Sequence, residues 1–134
     1  MNICAQNFIS YLDSKNLRYS VHELENNDCL LIFPYGGKTA QCIFSGDIGQ
    51  YLALYIMYEE VPDNKVADVI FLCNELNAKY KWATFFVNEK KEFTLHDDAI
   101  LSEGTAAEEA FELMIRMFNI ADSVKAPLMK TIYA

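Results

Sequence analysis

The chain lacks any apolar run long enough to cross a bilayer, because charged residues interrupt its hydrophobic segments throughout. Its first residues, MNICAQNF, lack the basic-then-apolar pattern of a secretory signal. Positive charge is also scarce: 11 Lys and Arg stand against 19 Asp and Glu, which gives a formal net charge of −8. Such a chain repels phosphate backbones and anionic lipid head groups. We therefore expect a cytoplasmic protein that has neither nucleic acid nor a membrane as its partner.

Groupings of metal ligands or catalytic side chains are missing as well. The four cysteines form no C-x-x-C pair and have no histidine at zinc-ligand spacing, so we interpret them as small buried residues in a reducing compartment. His22 and His96 are isolated, with no nucleophile in a recognisable elbow. GGKT at 36–39 is not a phosphate-binding loop, because Ile32 stands where that loop needs a glycine. The sequence thus supports no enzyme, no metal site and no cofactor.

What the chain does have is apolar content and a clear change of periodicity. Hydrophobic residues make up 52% of it, enough for one sizeable core, so residues 1–134 are expected to form a single domain. Helical spacing predicts a first helix near 5–12 and a second from 66 to about 80. A third helix is expected to begin at Thr105, since Thr105 and Glu108 have the spacing of a capping box.

Between these helices, β-type segments alternate with turn residues. Four strands are expected after the first helix, at 17–24, 29–33, 40–44 and 50–58. The YGGK at 35–38 is a hairpin signal, because glycine adopts positive φ without strain. A second hairpin, WATFFV-NEKK-EFTLH, follows the second helix. The order helix, three or four strands, helix, two strands, helix predicts an α+β fold with helices packed on one face of an antiparallel sheet.

The strand QYLALYIMY is apolar on both faces. Leu52, Leu54 and Ile56 point one way, while Tyr51, Ala53, Tyr55 and Met57 point the other. In WATFFV, Trp82 and Phe86 likewise stand opposite Ala83, Phe85 and Val87. A sheet face left in water is normally polar, so a cover is expected for the second face. The tail APLMKTIYA is one candidate cover. The other is a homodimer or a protein partner bound to Tyr51, Tyr55, Met57, Trp82 and Phe86.

Two asparagines, Asn74 and Asn77, lie three residues apart near the predicted end of the second helix. This spacing puts them on one side of the helix. Short amide side chains commonly satisfy backbone groups where a helix gives way to a strand. We therefore interpret the pair as a structural joint, with a ligand-binding role as the alternative.

The pattern resembles a known family. CNELN, the aromatic strand that follows and a last helix closing in IADSVKAPLMKTI are similar to YbjN-like proteins, often described as putative bacterial sensory transduction regulators. The resemblance covers essentially the whole chain and implies the fold of type III secretion chaperones, usually dimeric and without catalytic residues. Asn74 and Asn77 match the family's asparagine pair, and Asp122 and Pro127 its C-terminal aspartate and proline. An aromatic residue often precedes that proline in the family, whereas this chain has Ala126.

Composition and resemblance together favour a non-enzymatic protein-binding module, either chaperone-like or a regulatory adaptor in bacterial signalling or secretion. The main rival is a small-molecule sensor or enzyme with a pocket between the sheet and the helices. A deep pocket with converging titratable groups would favour that rival, and an exposed apolar sheet face would favour protein binding.

Overall fold

A computed structural model describes all residues, 1–134, and contains three helices and six strands. Single turns of 3-10 helix precede β2, α2 and α3. In chain order the elements are α1 (Ile3–Ser14), β1 (Ser20–Glu23), β2 (Cys29–Tyr35), β3 (Lys38–Ser45), β4 (Tyr51–Glu60), α2 (Val66–Lys79), β5 (Thr84–Val87), β6 (Glu92–Ile100) and α3 (Ala106–Ile132). The predicted α+β order is confirmed.

The six strands form one antiparallel sheet in the order β1-β2-β3-β4-β6-β5. The expected YGGK hairpin joins β2 to β3, and Gly36 and Gly37 have φ values of 57° and 80°. Only glycine reaches such angles without steric cost, which explains the tight turn. After α2 the chain enters the sheet at its far edge as β5 and returns inside as β6. As a result β6, and not β5, pairs with β4 along its length.

The helices cover one face of the sheet and enclose the core there. Phe8 of α1 packs on Phe44 of β3 with ring centroids 5.5 Å apart, and Phe118 of α3 lies 6.3 Å from Phe33 of β2. Tyr80, at the end of α2, meets Phe85 edge-on at 5.6 Å. The buried residues form one continuous cluster, as expected of a single hydrophobic core.

The C-terminal tail does not cover the second sheet face, so this one of the two candidate covers is excluded. It continues α3, which is 27 residues long and runs through Pro127 to Ile132. A proline inside a helix costs about 3 kcal/mol. Val124, Leu128 and Ile132 recur at four-residue spacing and are buried, and each contributes roughly 1.5–3 kcal/mol. This apolar stripe outweighs the proline and keeps the helix against the core.

The last helix, α3, begins at the predicted position, but the predicted capping interaction does not form. Thr105 is the residue before the helix, but its φ and ψ are −126° and 15° and its side chain makes no capping hydrogen bond. A 3-10 turn at Glu103–Thr105 comes first. The Glu109 carboxylate instead reaches back and accepts the Ser102 N–H at 2.8 Å. The capping box is therefore wrong, because the chain begins to coil one turn earlier than the pattern indicated.

Candidate functional site

Alternate residues of the six strands form a second sheet face that points away from the helices; we call it the open face. The core cluster contains the opposite set of strand residues. Tyr51 and Ile100 at one end of the open face are 51% and 79% exposed. Seven further apolar members of the open face are half-buried: Leu30, Ile32, Ile43, Ala53, Tyr55, Met57 and Phe86. An apolar surface thus remains uncovered in the single chain.

Charge is nearly absent from the open face. The strand registers place carboxylates only at its margins, with Asp98 toward one end of β6 and Glu60 and Glu92 at the other. No lysine or arginine occupies an open-face strand position. In a chain of net charge −8 this is a strong local depletion. Depletion of charge marks the centres of protein interfaces more reliably than hydrophobicity does.

The one polar cluster on the open face surrounds His96. Its ring stacks on Tyr55 of β4 at 4.5 Å between centroids, with the planes 18° apart. Its Nε2 lies 2.9 Å from Asp98 Oδ1. The stacking on Tyr55 and the contact with Asp98 together hold the imidazole ring in one orientation.

The structure brings together four of the five residues predicted for the binding surface. The open face contains Tyr51, Tyr55, Met57 and Phe86. The last two pair with the same residue of β6, Thr94, from its two sides. Trp82 lies elsewhere: its ring packs on Arg116 of α3, 5.6 Å from the guanidinium carbon. The strand alternation behind its assignment fails because β5 begins only at Thr84.

Asn77 hydrogen-bonds the outer edge of β5. Its Nδ2 donates to the Phe85 carbonyl at 3.0 Å, and its Oδ1 accepts the Phe85 N–H at 2.7 Å. These backbone groups belong to the strand itself and not to the turn before it, where the sequence had led us to expect the contact. Asn74 is exposed and lines a shallow cleft of about 340 Å³ with Ile70 and Phe86. The two asparagines therefore have different surroundings.

A cleft of about 370 Å³ lies between α3 and the sheet edge at β6. Asp97 lines it, and partial burial raises the pKa of this carboxyl above its usual range. Its Oδ1 accepts the Asp98 N–H at 2.9 Å. No metal-binding group of three or more His, Cys, Asp or Glu is present. Burial raises the pKa of Cys42 to about 12 and that of Cys73 to about 11, so both thiols stay protonated at neutral pH.

Comparison with known proteins gives one match. The family model YbjN, described as "Putative bacterial sensory transduction regulator", matches residues 6–121, a segment that includes the whole sheet. No curated protein and no solved structure matches the chain. The resemblance seen in the sequence is thereby confirmed at family level, while the likeness to type III secretion chaperones stays a prediction. None of the three helices is both long and apolar enough to span a lipid bilayer.

Proposed function

We propose, on the premise that this chain belongs to the YbjN family of putative bacterial sensory transduction regulators, that it is a non-enzymatic module that binds protein through its open face. The first protein to bind there is a second copy of the chain. The observation that carries the proposal is an apolar, charge-depleted sheet face that the chain itself leaves uncovered. Regulation then consists of binding and release, and no chemical step is required.

A second copy suits the face because of charge and size. Two chains of net charge −8 repel each other over most of their surface, and the open face is the region where this repulsion is weakest. Six strands of four to ten residues, at roughly 3.3 Å per residue and 4.8 Å per strand, give a footprint of about 650 Å². Because the side chains project from the sheet, the accessible area of the face is larger than this footprint. The result is comparable to the roughly 800 Å² per partner of a standard interface.

The residues that contribute most to such a contact are expected to be Tyr55 and Met57 at the centre, with Tyr51 and Phe86 toward the margins. Tyrosine and methionine are both enriched in interface cores, and tyrosine buries a large area at a modest entropic cost because it has only two χ angles. Tyr55 is already held in one orientation by its stacking on His96. An anchor ordered before association loses less freedom when it binds.

The test is the oligomeric state of the parent and of Tyr55→Lys, measured by light scattering after size exclusion at micromolar concentration. The parent should be a dimer and Tyr55→Lys a folded monomer, because the substitution puts two ammonium groups into one apolar contact. Asn119→Lys is the matched control, since it adds the same charge on the exposed side of α3. Far-UV circular dichroism establishes that both variants fold. A monomeric parent refutes the homodimer.

A further inference from the structure

One strand of the sheet is longer than its outer neighbour. β5 pairs with β6 only from Val87↔Phe93 to Thr84↔His96, whereas β4 pairs with β6 as far as Tyr51↔Ile100. The last residues of β6 therefore have a neighbouring strand on one side only. We call residues 98–100 the free β6 edge.

The direction of the backbone groups at this edge follows from one hydrogen bond. The Leu101 N–H donates to Gln50 O at 2.7 Å, toward β4. Donors alternate along an antiparallel strand, so the N–H groups of Asp98 and Ile100 point to the free side. The Asp97 carboxylate accepts the Asp98 N–H, but no strand faces Ile100. The chain protects β5 differently, because Asn77 occupies both backbone groups of Phe85.

Clefts flank the free β6 edge on both sides of the sheet. On the helix side, the 370 Å³ cleft has Trp82, 47% exposed, and Leu113 in its wall. On the open-face side, a cleft of about 400 Å³ is lined by Tyr51, Ala53 and Ile100. Side chains of an added strand alternate between the two faces, so both clefts are within reach of a single extended peptide.

The helix-side cleft has an excess of negative charge. One guanidinium, that of Arg116, stands against three carboxylates, those of Asp97, Glu109 and Glu112. Asp98 also lines the cleft, but its carboxylate lies on the open face beside His96. Arg116 is itself engaged, since it lies 3.3 Å from Glu112 and under the Trp82 ring. A strand carrying basic side chains on this side would meet complementary charge. A second copy of this chain would bring three more carboxylates to this cleft and is disfavoured here.

We propose that the free β6 edge binds an extended basic peptide segment of another protein, which adds as a strand beside residues 98–100. Its backbone hydrogen-bonds Ile100, its basic side chains enter the carboxylate-lined cleft, and its alternate apolar side chains rest on Tyr51 and Ile100. This site shares Tyr51 with the margin of the open face, but it does not require a second copy there. It gives the module a second docking position at the rim of the same sheet.

Trp82 is the single tryptophan and lies in the cleft wall, so its fluorescence reports on binding. The probe is a peptide of about ten residues that alternates lysine and valine and has blocked ends. Titration should change the Trp82 emission saturably, and the effect should weaken as salt rises. Two control peptides keep the length: one has glutamate in place of lysine, and the other is N-methylated at alternate residues. Neither should bind, because the first reverses the charge and the second removes the strand's donors.

Two substitutions of Ile100 distinguish the contribution of its backbone N–H to peptide binding from that of its side chain. Ile100→Pro removes the outward N–H without breaking a hydrogen bond to β4, so the sheet should persist, as circular dichroism will verify. Ile100→Thr keeps the N–H. We expect Ile100→Pro to weaken the peptide about tenfold or more and Ile100→Thr by less than about threefold. Tyr55→Lys should bind the peptide no more weakly than the parent does, because loss of the second copy from the open face can only uncover Tyr51 at the shared margin.

Three results would overturn the edge site: no saturable change in Trp82 emission with the lysine peptide, equal binding of the N-methylated peptide, or parent-like binding by a folded Ile100→Pro. Equal binding of the glutamate peptide would overturn its basic preference. If Ile100→Pro fails to fold, the comparison of plain and N-methylated peptides on the parent decides alone. Loss of binding in Tyr55→Lys would contradict the independence of the edge from the open face.

Discussion

The two faces of β4 differ in what covers them, although both are apolar. Leu54 is fully buried under the helices, while the next residue, Tyr55, is only half-buried on the open face. Both are large hydrophobic side chains on the same central strand. The difference shows that an apolar strand pattern identifies a surface to be covered but not the molecule that covers it. The helix-side face is satisfied within the chain, and the open face is left for another molecule.

The largest loss of stability should come from truncating a side chain on the helix-covered face of β4. Leu54→Ala is expected to lower the free energy of unfolding by about 2–5 kcal/mol, because it removes buried contacts and leaves a cavity. Tyr55→Ala should cost less than about 1 kcal/mol in the isolated chain, where one side of the ring is already in water. Urea unfolding at two protein concentrations measures both. A Tyr55→Ala loss that grows with concentration indicates a dimer, and a loss as large as that of Leu54→Ala at every concentration would contradict the comparison.

The next largest loss of stability is expected from Asn77, whose side-chain amide hydrogen-bonds the outer edge of β5. Asn77→Ala should destabilise the fold by about 2 kcal/mol, since it leaves the N–H and the carbonyl of Phe85 without partners in a partly buried position. Asn74→Ala is the matched control and should change stability by less than about 0.5 kcal/mol. Thermal and urea unfolding give both values. Equal losses for the two variants would refute the assignment of the joint to Asn77.

A smaller and pH-dependent effect is expected at Asp97, which faces the helices while Asp98 faces away from them. Because burial raises the pKa of Asp97 in the folded state, the native form holds its proton more tightly than the unfolded chain does. The stability this group contributes is present at low pH and is lost as pH rises from the ordinary carboxyl pKa through the raised one. Asp97→Asn cannot ionise and keeps an acceptor for the Asp98 N–H. The free energy of unfolding of Asp97→Asn should exceed that of the parent by an amount that grows as pH rises through this window. Above the window the difference should stay constant. A constant difference at all pH values would contradict the raised pKa.

The smallest effect is expected outside the sheet, at Thr105. Its side chain makes no capping bond, so Thr105→Ala should change stability by less than about 0.5 kcal/mol instead of the roughly 1 kcal/mol that a capping threonine contributes. Glu109→Ala, which removes the acceptor for the Ser102 N–H, should cost more. Denaturant unfolding of the two variants side by side measures this order. The reverse order would restore Thr105 as the cap.

Much of the fold follows from local sequence. Helical and strand periodicity located all three helices and the strands, and the positive φ available to glycine fixed the hairpin after β2. The alternation in β4 assigned its residues to the correct faces of the sheet, because side chains alternate between the faces wherever a strand is regular. The prediction failed for Trp82, where the strand had not yet begun, and for the capping bond of Thr105, which does not form although α3 begins directly after that residue.

The sequence by itself determined the α+β class, the apolar open face and the family, since each depends on residue types and short spacings. Only the tertiary structure decided that the C-terminal tail extends α3 and leaves the open face uncovered, because burial of its apolar stripe against the core outweighs Pro127. It also decided that β6 extends past β5 and that Asn77 closes the edge at Phe85. These outcomes depend on which distant segments become neighbours, and local periodicity does not encode that information.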